Sequence, residues 1–340
     1  MNLKDKIFLY WKFKKSKKTK VNNLGILNKK VFFGIPFSLL LPSILIILLF
    51  TIFPFIYSII KSFSYNDDLN DAFSVKVGFE AYRIVANDPF FQIAVRNSLI
   101  YAILALPLSL ICSVLISAVI ANLYKKWAKG FWQTVFFLPY VTNAVAISLA
   151  FVYLFDHEVG IINSVFGLNT KWLASGESAS YKPIIIILIY GIWKNLAFQI
   201  LIITTAMLSV SKSIYKAATV DGASKLKQFF RITLPSINKT FNFLITIGIL
   251  GGIKVFPLAI FENNISKAES NGGMTIMLYI YKAVKSGTYD LAGATTVILF
   301  SLGVAFSTVL KNSFKLIIYT SNKLGERNVL NKVKNSKFVF

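Results

Sequence analysis

Long uncharged stretches alternate with short polar segments along most of this chain. Val31 to Ile60 carries no charge, nor do Asn97 to Tyr124 or Gly130 to Phe155. Pro183 to Ser211 is broken only by Lys194, Thr240 to Phe261 only by Lys254, and Leu291 to Leu310 not at all. A helix that crosses a bilayer needs about 20 mainly apolar residues. The pattern therefore predicts an all-α polytopic membrane protein with six transmembrane helices. Pro36 and Pro42 near the start of the first run, and Pro54 near its end, predict bent or irregular helix there. That run is too long for a signal peptide and lacks a small-residue cleavage site, so an uncleaved anchor is expected.

The polar segments set the orientation. Residues 1–30 hold ten lysines against Asp5. Lys125, Lys126 and Lys129 follow the second run, and Lys212, Lys216, Lys225, Lys227, Arg231 and Lys239 follow the fourth, with Asp221 as the one acid. The tail 311–340 is again basic. The alternate loops are mixed, with Asp67, Asp68, Asp71, Glu80 and Asp88 in the first, Asp156, Glu158 and Glu177 in the second, and Glu262, Glu269 and Asp290 in the third. Lys and Arg concentrate on cytoplasmic flanks, so both termini are expected inside. The expected organisation is a basic segment 1–30, a six-helix transmembrane bundle 31–310 and a basic tail 311–340, in the cell (plasma) membrane. A net charge of +23 suggests nucleic acid only when it lies on a soluble face. Here it lies in membrane flanks, so anionic lipid is the expected partner of the basic ends.

The segment after the fourth run, Tyr215 to Pro235, reads Y-K-A-A-T-V-D-G-A-S-K-L-K-Q-F-F-R-I-T-L-P. Ala217 and Ala218 favour helix, and Asp221-Gly222 is a turn pair. Ser224 is placed to cap a second helix. Leu226, Phe229 and Phe230 then share one apolar face, and Pro235 ends the segment. A short helix with a small-residue face, lying at the membrane surface, suits docking in a cleft of another protein.

This segment resembles the EAA loop of ATP-binding-cassette importer permeases. Ala217, Ala218, Asp221, Gly222, Ala223, Phe229, Ile232, Leu234 and Pro235 fall on that pattern, and Lys216 stands where the family usually has Glu. Asn97-Ser98-Leu99 with Pro107-Leu108-Ser109-Leu110 is similar to the second span of the carbohydrate-uptake permeases. So are Gly130-Phe131-Trp132 with Phe136-Phe137-Leu138-Pro139, Trp193-Lys194-Asn195 with Phe198, and Gly272-Gly273 with Tyr279-Ile280-Tyr281 and Ala292-Gly293-Ala294. The ordered set resembles the larger subunit of the maltose and glycerol-3-phosphate importers.

The resemblance implies that the loop 212–235 couples to a separate ATPase, with Tyr215 as a bulky anchor. It implies a second permease subunit in a heterodimer, two ATP-binding subunits, and an extracytoplasmic solute-binding protein. It implies no cofactor on this chain, with ATP and Mg on the partner subunits. In keeping with that, no G-x-x-x-x-G-K-[ST] phosphate loop occurs. The implied cargo is a sugar or related polar solute, with glycerol-3-phosphate or another anion as the alternative.

Lys194 and Lys254 interrupt apolar runs. Charges in such places face a bundle interior or a water-filled path, or else snorkel. Lys194, Asn195, Lys254 and Gly252 are therefore candidates for the solute pathway. Gly248 and Gly252 form a G-x-x-x-G that brings a helix close, either within the chain or across a subunit interface. Trp193, Tyr153 and Phe256 are candidates for stacking on sugar rings, against the commoner lipid-facing or core role of aromatics. No catalytic residue is apparent. His157 beside Asp156 and Glu158 reads as a solvated loop end, and Cys112 is alone, so no metal site is expected. An ion-coupled carrier would place acids within its spans, and the six runs hold none before Glu262.

Overall fold

The computed structural model describes residues 34–66, 75–309 and 312–313. The basic segment 1–30 and nearly all of the tail 311–340 lie outside that set, as do Asp67, Asp68 and Asp71. The described residues fall into two units that divide at Phe55 and Ile56.

The first unit holds helix α1 (Gly34–Ile47) and a π-helical turn at Leu48–Ile52 that leads into α2 (Phe53–Ser62). Pro42 sits inside α1. The wide turn ends two residues before Pro54, whose ring nitrogen has no hydrogen to give to the helix. The irregularity expected from Pro54 is thus present as a π turn.

The second unit is a helical bundle. A two-stranded antiparallel ladder, β1 (Ser64–Asn66) with β2 (Val75–Val77), pairs Tyr65 with Lys76. After it come α3 (Glu80–Asn87), α4 (Pro89–Asn122), α5 (Lys126–Val141), α6 (Ala144–Leu154), α7 (Ile161–Phe166) and α8 (Lys182–Ser209). The loop segment comprises α9 (Lys212–Val220), α10 (Lys225–Gln228), a π turn at Phe229–Thr233, and α11 (Leu234–Ser236). Helix α12 (Asn238–Gly252), a 3-10 turn at Leu258–Phe261, α13 (Ile265–Ser270), α14 (Ile276–Lys285) and α15 (Tyr289–Val309) complete it.

Among the described residues, four helices are long and apolar enough to cross a membrane: Pro36–Ser62, α4, α8 and α15. The third expected span is not one rod. It breaks into α5 and α6 at an angle of 94°. Pro139 weakens the end of α5, and Asn143 opens α6 by accepting the Val145 amide on its side chain at 2.8 Å. The fifth expected span, Thr240 to Phe261, also divides. Helix α12 stops at Gly252, and its 15 residues reach about 22 Å, short of the roughly 30 Å hydrocarbon core. The second span begins eight residues before Asn97. Asp88 caps it and Pro89 fills its first turn, so Arg96 lies inside the helix.

Helix α4 packs most extensively on α8, with α5 and α12 against the same pair. The α4–α8 seam inverts the soluble pattern. Ser109, Ser113 and Ser117 are buried while Leu108, Ile111, Leu115 and Val119 are exposed. Ser113 donates to Gln199 Oε1 at 2.9 Å, and Gln199 Nε2 donates to Ser109 at 3.0 Å. Small residues let the two backbones approach, and their hydroxyls satisfy the amide in a dry interior.

Candidate functional site

At the end of the bundle that carries the mixed loops, the start of α4 is a polar hub. Arg96 donates to Asn97 Oδ1 and to the carbonyls of Ala179 and Ser180, and its guanidinium lies 3.9 Å over the Tyr181 ring. Asn97 Nδ2 donates to the carbonyls of Gly272 and Met274, both at 2.8 Å. Ser98 accepts the Ile276 amide at 3.0 Å. Tyr279 donates to Asp88 Oδ2 at 2.6 Å; burial first, and then Asp88, push its hydroxyl above the ordinary phenol range. These bonds fix the segment 272–279 against α4.

Below that hub lie two cavities. One, of about 460 Å³, is lined by residues of α6, α8 and the stretch Val255–Ala259. The other, of about 380 Å³, is lined by α4, α8 and α12 with Tyr140 and Phe198. Both are lined by Tyr101, Lys194 and Asn195. Tyr101 reaches across from α4 to a gap that only glycine leaves: a Cβ on Gly191 would stand 2.1 Å from its hydroxyl oxygen. The Lys194 ammonium lies 5.8 Å from the Tyr190 ring centre, within cation–π reach. Gly252 lines the second cavity. Lys254 lines neither cavity and is exposed.

Of the stacking candidates, Phe256 lines the first cavity. Trp193 packs on Phe151 at 5.7 Å, and Tyr153 is 70 % exposed. The G-x-x-x-G stretch is used within the chain. A Cβ on Gly248 would meet Leu106 at 2.2 Å, and one on Gly252 would meet the Ala102 backbone at 3.3 Å. Tyr101 was not marked by sequence, because nothing along a tyrosine-rich chain shows which ring faces Gly191. His157 is half-buried rather than solvated, and its Nδ1 has no hydrogen-bond partner. Beside it, the amides of Val159 and then Glu158 hold the Asp156 carboxyl below the ordinary carboxylate range.

At the opposite end stands the loop. Helix α9 closes on a Schellman turn: the Gly222 amide donates to Thr219 O at 3.1 Å and the Ala223 amide to Ala218 O at 2.9 Å. Gly222 takes φ +71°, which glycine adopts without penalty. Ser224 caps α10, accepting the Lys227 amide at 3.3 Å. Gln228 ties the halves together by donating to Thr219 Oγ1 and Ala223 O. Tyr215 and Thr233 share a hydrogen bond of 2.8 Å. The apolar face expected of Leu226, Phe229 and Phe230 is split. Phe229 and Leu234 pack on the bundle core, while Leu226 and Phe230 are 73 % and 63 % exposed, with Val220 at 88 %. Ala217, Asp221 and Pro235 are exposed and Ala218 and Ala223 half-buried. The loop is a preformed knob, held from behind and open in front.

Residues 113–317 match the family described as the inner membrane component of binding-protein-dependent transport systems. A probable ABC transporter permease protein of Mycoplasma genitalium is 50 % identical over 88 % of this chain and 92 % of its own length. The sn-glycerol-3-phosphate transport system permease protein of Pectobacterium atrosepticum is 25 % identical, over 81 % of this chain and 92 % of that one. The fold is shared with a chain of a bacterial ABC transporter that imports alginate, with a TM-score of 0.67 and 23 % identity over 82 % of this chain and 94 % of that one.

Proposed function

Because the chain belongs to the family of inner-membrane components of binding-protein-dependent transport systems, it is a multi-pass plasma-membrane permease of an ATP-binding-cassette importer, and we propose that its solute passes the constriction formed by Tyr101, Lys194 and Asn195, with Gly252 on the wall beyond. The single observation behind this pathway is that these three side chains line both cavities. A sugar or related small polar solute suits them, since a phenol, an amide and an ammonium all hydrogen-bond hydroxyl groups. The likeness to carbohydrate-uptake permeases supports the same class. Lys194 favours a second reading, an anionic solute such as a glycerol phosphate, and the Pectobacterium relative is named for that cargo.

A solute-binding protein is the partner of this family. In our reading the rest of the complex is a second, different permease subunit and two ATPase subunits that hold ATP and Mg. Tyr215, Ala217, Ala218, Asp221, Gly222, Ala223, Phe229, Leu234 and Pro235 would then form or support the knob that enters the ATPase cleft. Closure of the ATPases on ATP would draw the loops together and turn the bundle outward to receive solute. The support is the loop's form: small residues and a left-handed glycine at the tip, Phe229 and Leu234 rooted in the core.

The test is ATPase stimulation of the reconstituted complex across a panel of sugars and glycerol phosphates presented on the binding protein. Stimulation by one class assigns the solute, and silence across the panel overturns the proposal. Within that assay Lys194→Met should raise the KM for an anionic solute about ten-fold or more, since a charge-assisted hydrogen bond is worth about 1.5–3 kcal/mol. For a neutral sugar the change should be only a few-fold. A second expectation concerns Lys216, which is exposed. Lys216→Glu should alter ATPase retention in detergent by no more than about five-fold, because exposed ion pairs are worth about 0–1 kcal/mol. Loss of the ATPase from a pull-down would instead make Lys216 an anchor.

A further inference from the structure

A third cavity, of about 300 Å³, lies behind the loop, between it and the ends of α4 and α8. Three lysines line it: Lys129 from the first turn of α5, Lys212 from the first residue of α9 and Lys225 from the first residue of α10. No acid lines it. Asp221, the one acid of the loop, lies elsewhere. The ion pairs among the described residues are Lys267 with Glu262 and Lys282 with Glu269, both at the other end of the bundle. Lys129 donates to the Ala121 carbonyl at 2.6 Å, and the Asn122 and Gln228 amides donate to Ala118 and Ala223 carbonyls. Lys212 and Lys225 thus bring positive charge to the cavity without a countercharge. The placement is costly by itself, for a cation in the first turn of a helix opposes the helix dipole, as Lys129 and Lys212 do in α5 and α9.

We propose that this cavity binds a phosphate-bearing anion. Lysine serves phosphate as a compact point charge, and three of them converge here from three helices. Much of the remaining wall is apolar, from the ends of α4 and α8 with Phe229. Basic pockets between spans on the cytoplasmic side take anionic lipid headgroups, and an apolar wall beside the ammonium groups suits the acyl chains of such a lipid. A free phosphate compound shares the charged part of that chemistry. In either case the bound anion would tie the loop to the start of α5, so the anion content of the inner leaflet would set how firmly the knob is held. This inference rests on the inward placement of the loop and not on the nature of the solute.

The experiment uses the full chain without any ATPase, in nanodiscs of phosphatidylcholine alone, of phosphatidylcholine with phosphatidylglycerol, or of phosphatidylcholine with inorganic phosphate added. Hydrogen exchange of residues 211–235 is followed in each. Phosphatidylglycerol should slow exchange, and the doubly substituted Lys212→Gln, Lys225→Gln chain should need roughly thirty-fold more of it, at about five-fold per lysine near the surface. Lys171→Gln, at the other end of the bundle, is the control and should titrate as the unsubstituted chain does. Slowing by inorganic phosphate alone would support the site and name the free compound as its source. Exchange unmoved by either probe, or a double variant that titrates like the unsubstituted chain, would overturn the proposal. Failure of ATPase recovery, by contrast, would bear on the coupling reading alone.

Discussion

Gly272→Ala is expected to destabilise the folded chain by about 2–5 kcal/mol, combining a left-handed backbone cost of roughly 1–2 kcal/mol with overpacking of roughly 1–3 kcal/mol. Gly272 takes φ +81°, and a Cβ built on it would stand 2.5 Å from the Ser180 carbonyl oxygen and 2.9 Å from its amide nitrogen. Both neighbours are backbone, so neither can swing aside as a side chain does. The Gly272 carbonyl also accepts from Asn97 Nδ2, and the Ser180 carbonyl accepts from Arg96. A shift that relieves the clash therefore strains the whole hub. Thermal unfolding in detergent, followed by tryptophan fluorescence, measures the effect. Gly303→Ala is the matched control, since a Cβ there meets nothing within 4 Å and a helical glycine gains about 0.5–1 kcal/mol from alanine. An unchanged unfolding midpoint for Gly272→Ala would show that the segment 272–279 is not held as described.

Gly222→Val should act on coupling rather than on the fold. A Cβ at Gly222 meets nothing within 4 Å, so no clash arises. The cost is the left-handed φ of +71°, about 1–2 kcal/mol for a residue with a Cβ. That penalty depopulates the Schellman turn by roughly five- to thirty-fold, and with it the alignment of Ala218 and Ala223 at the tip. Solute-stimulated ATPase activity of the reconstituted complex should fall about ten-fold on the same penalty, with the unfolding midpoint little changed. Gly222→Asn should keep most of the activity, because asparagine is the other residue that helix-ending left-handed turns accept. Equal loss with Val and Asn would show that the surface, and not the turn, sets coupling.

The local devices of the loop were legible in the sequence because each is a short-range bond. Asp221-Gly222 named the turn and Ser224 named the cap. The two-way split of Phe229 and Phe230 was not legible, because a π turn at Phe229–Thr233 rotates the face that regular helical spacing would give. Long apolar runs marked where α4, α8 and α15 lie. They concealed the break between α5 and α6, since hydropathy does not register a bend when both halves are apolar. Asn143 was the available signal, a capping residue with Pro139 four positions ahead. Arg96 misled the start of α4 because a charge normally ends a span. Here Tyr181 and three oxygen acceptors keep it inside a helix. The cavity-lining Lys194 stood out as a lone charge, whereas Tyr101 depends on Gly191 on another helix, a pairing that only the tertiary fold reveals.

The serine row on α4 also constrains how that helix can move. Ser109, Ser113 and Ser117 repeat every four residues, and Gln199 spans the first two. A slide of one turn, about 5.4 Å, in one direction would hand the amide to Ser113 and Ser117. In the other direction it would meet Ala105, and half a turn would leave it stranded among apolar groups at a cost of about 1–3 kcal/mol. The seam therefore behaves as a detent. Small displacements are resisted, so α4 and α8 turn together as one lever, and a larger shift would come as a click of one full tooth.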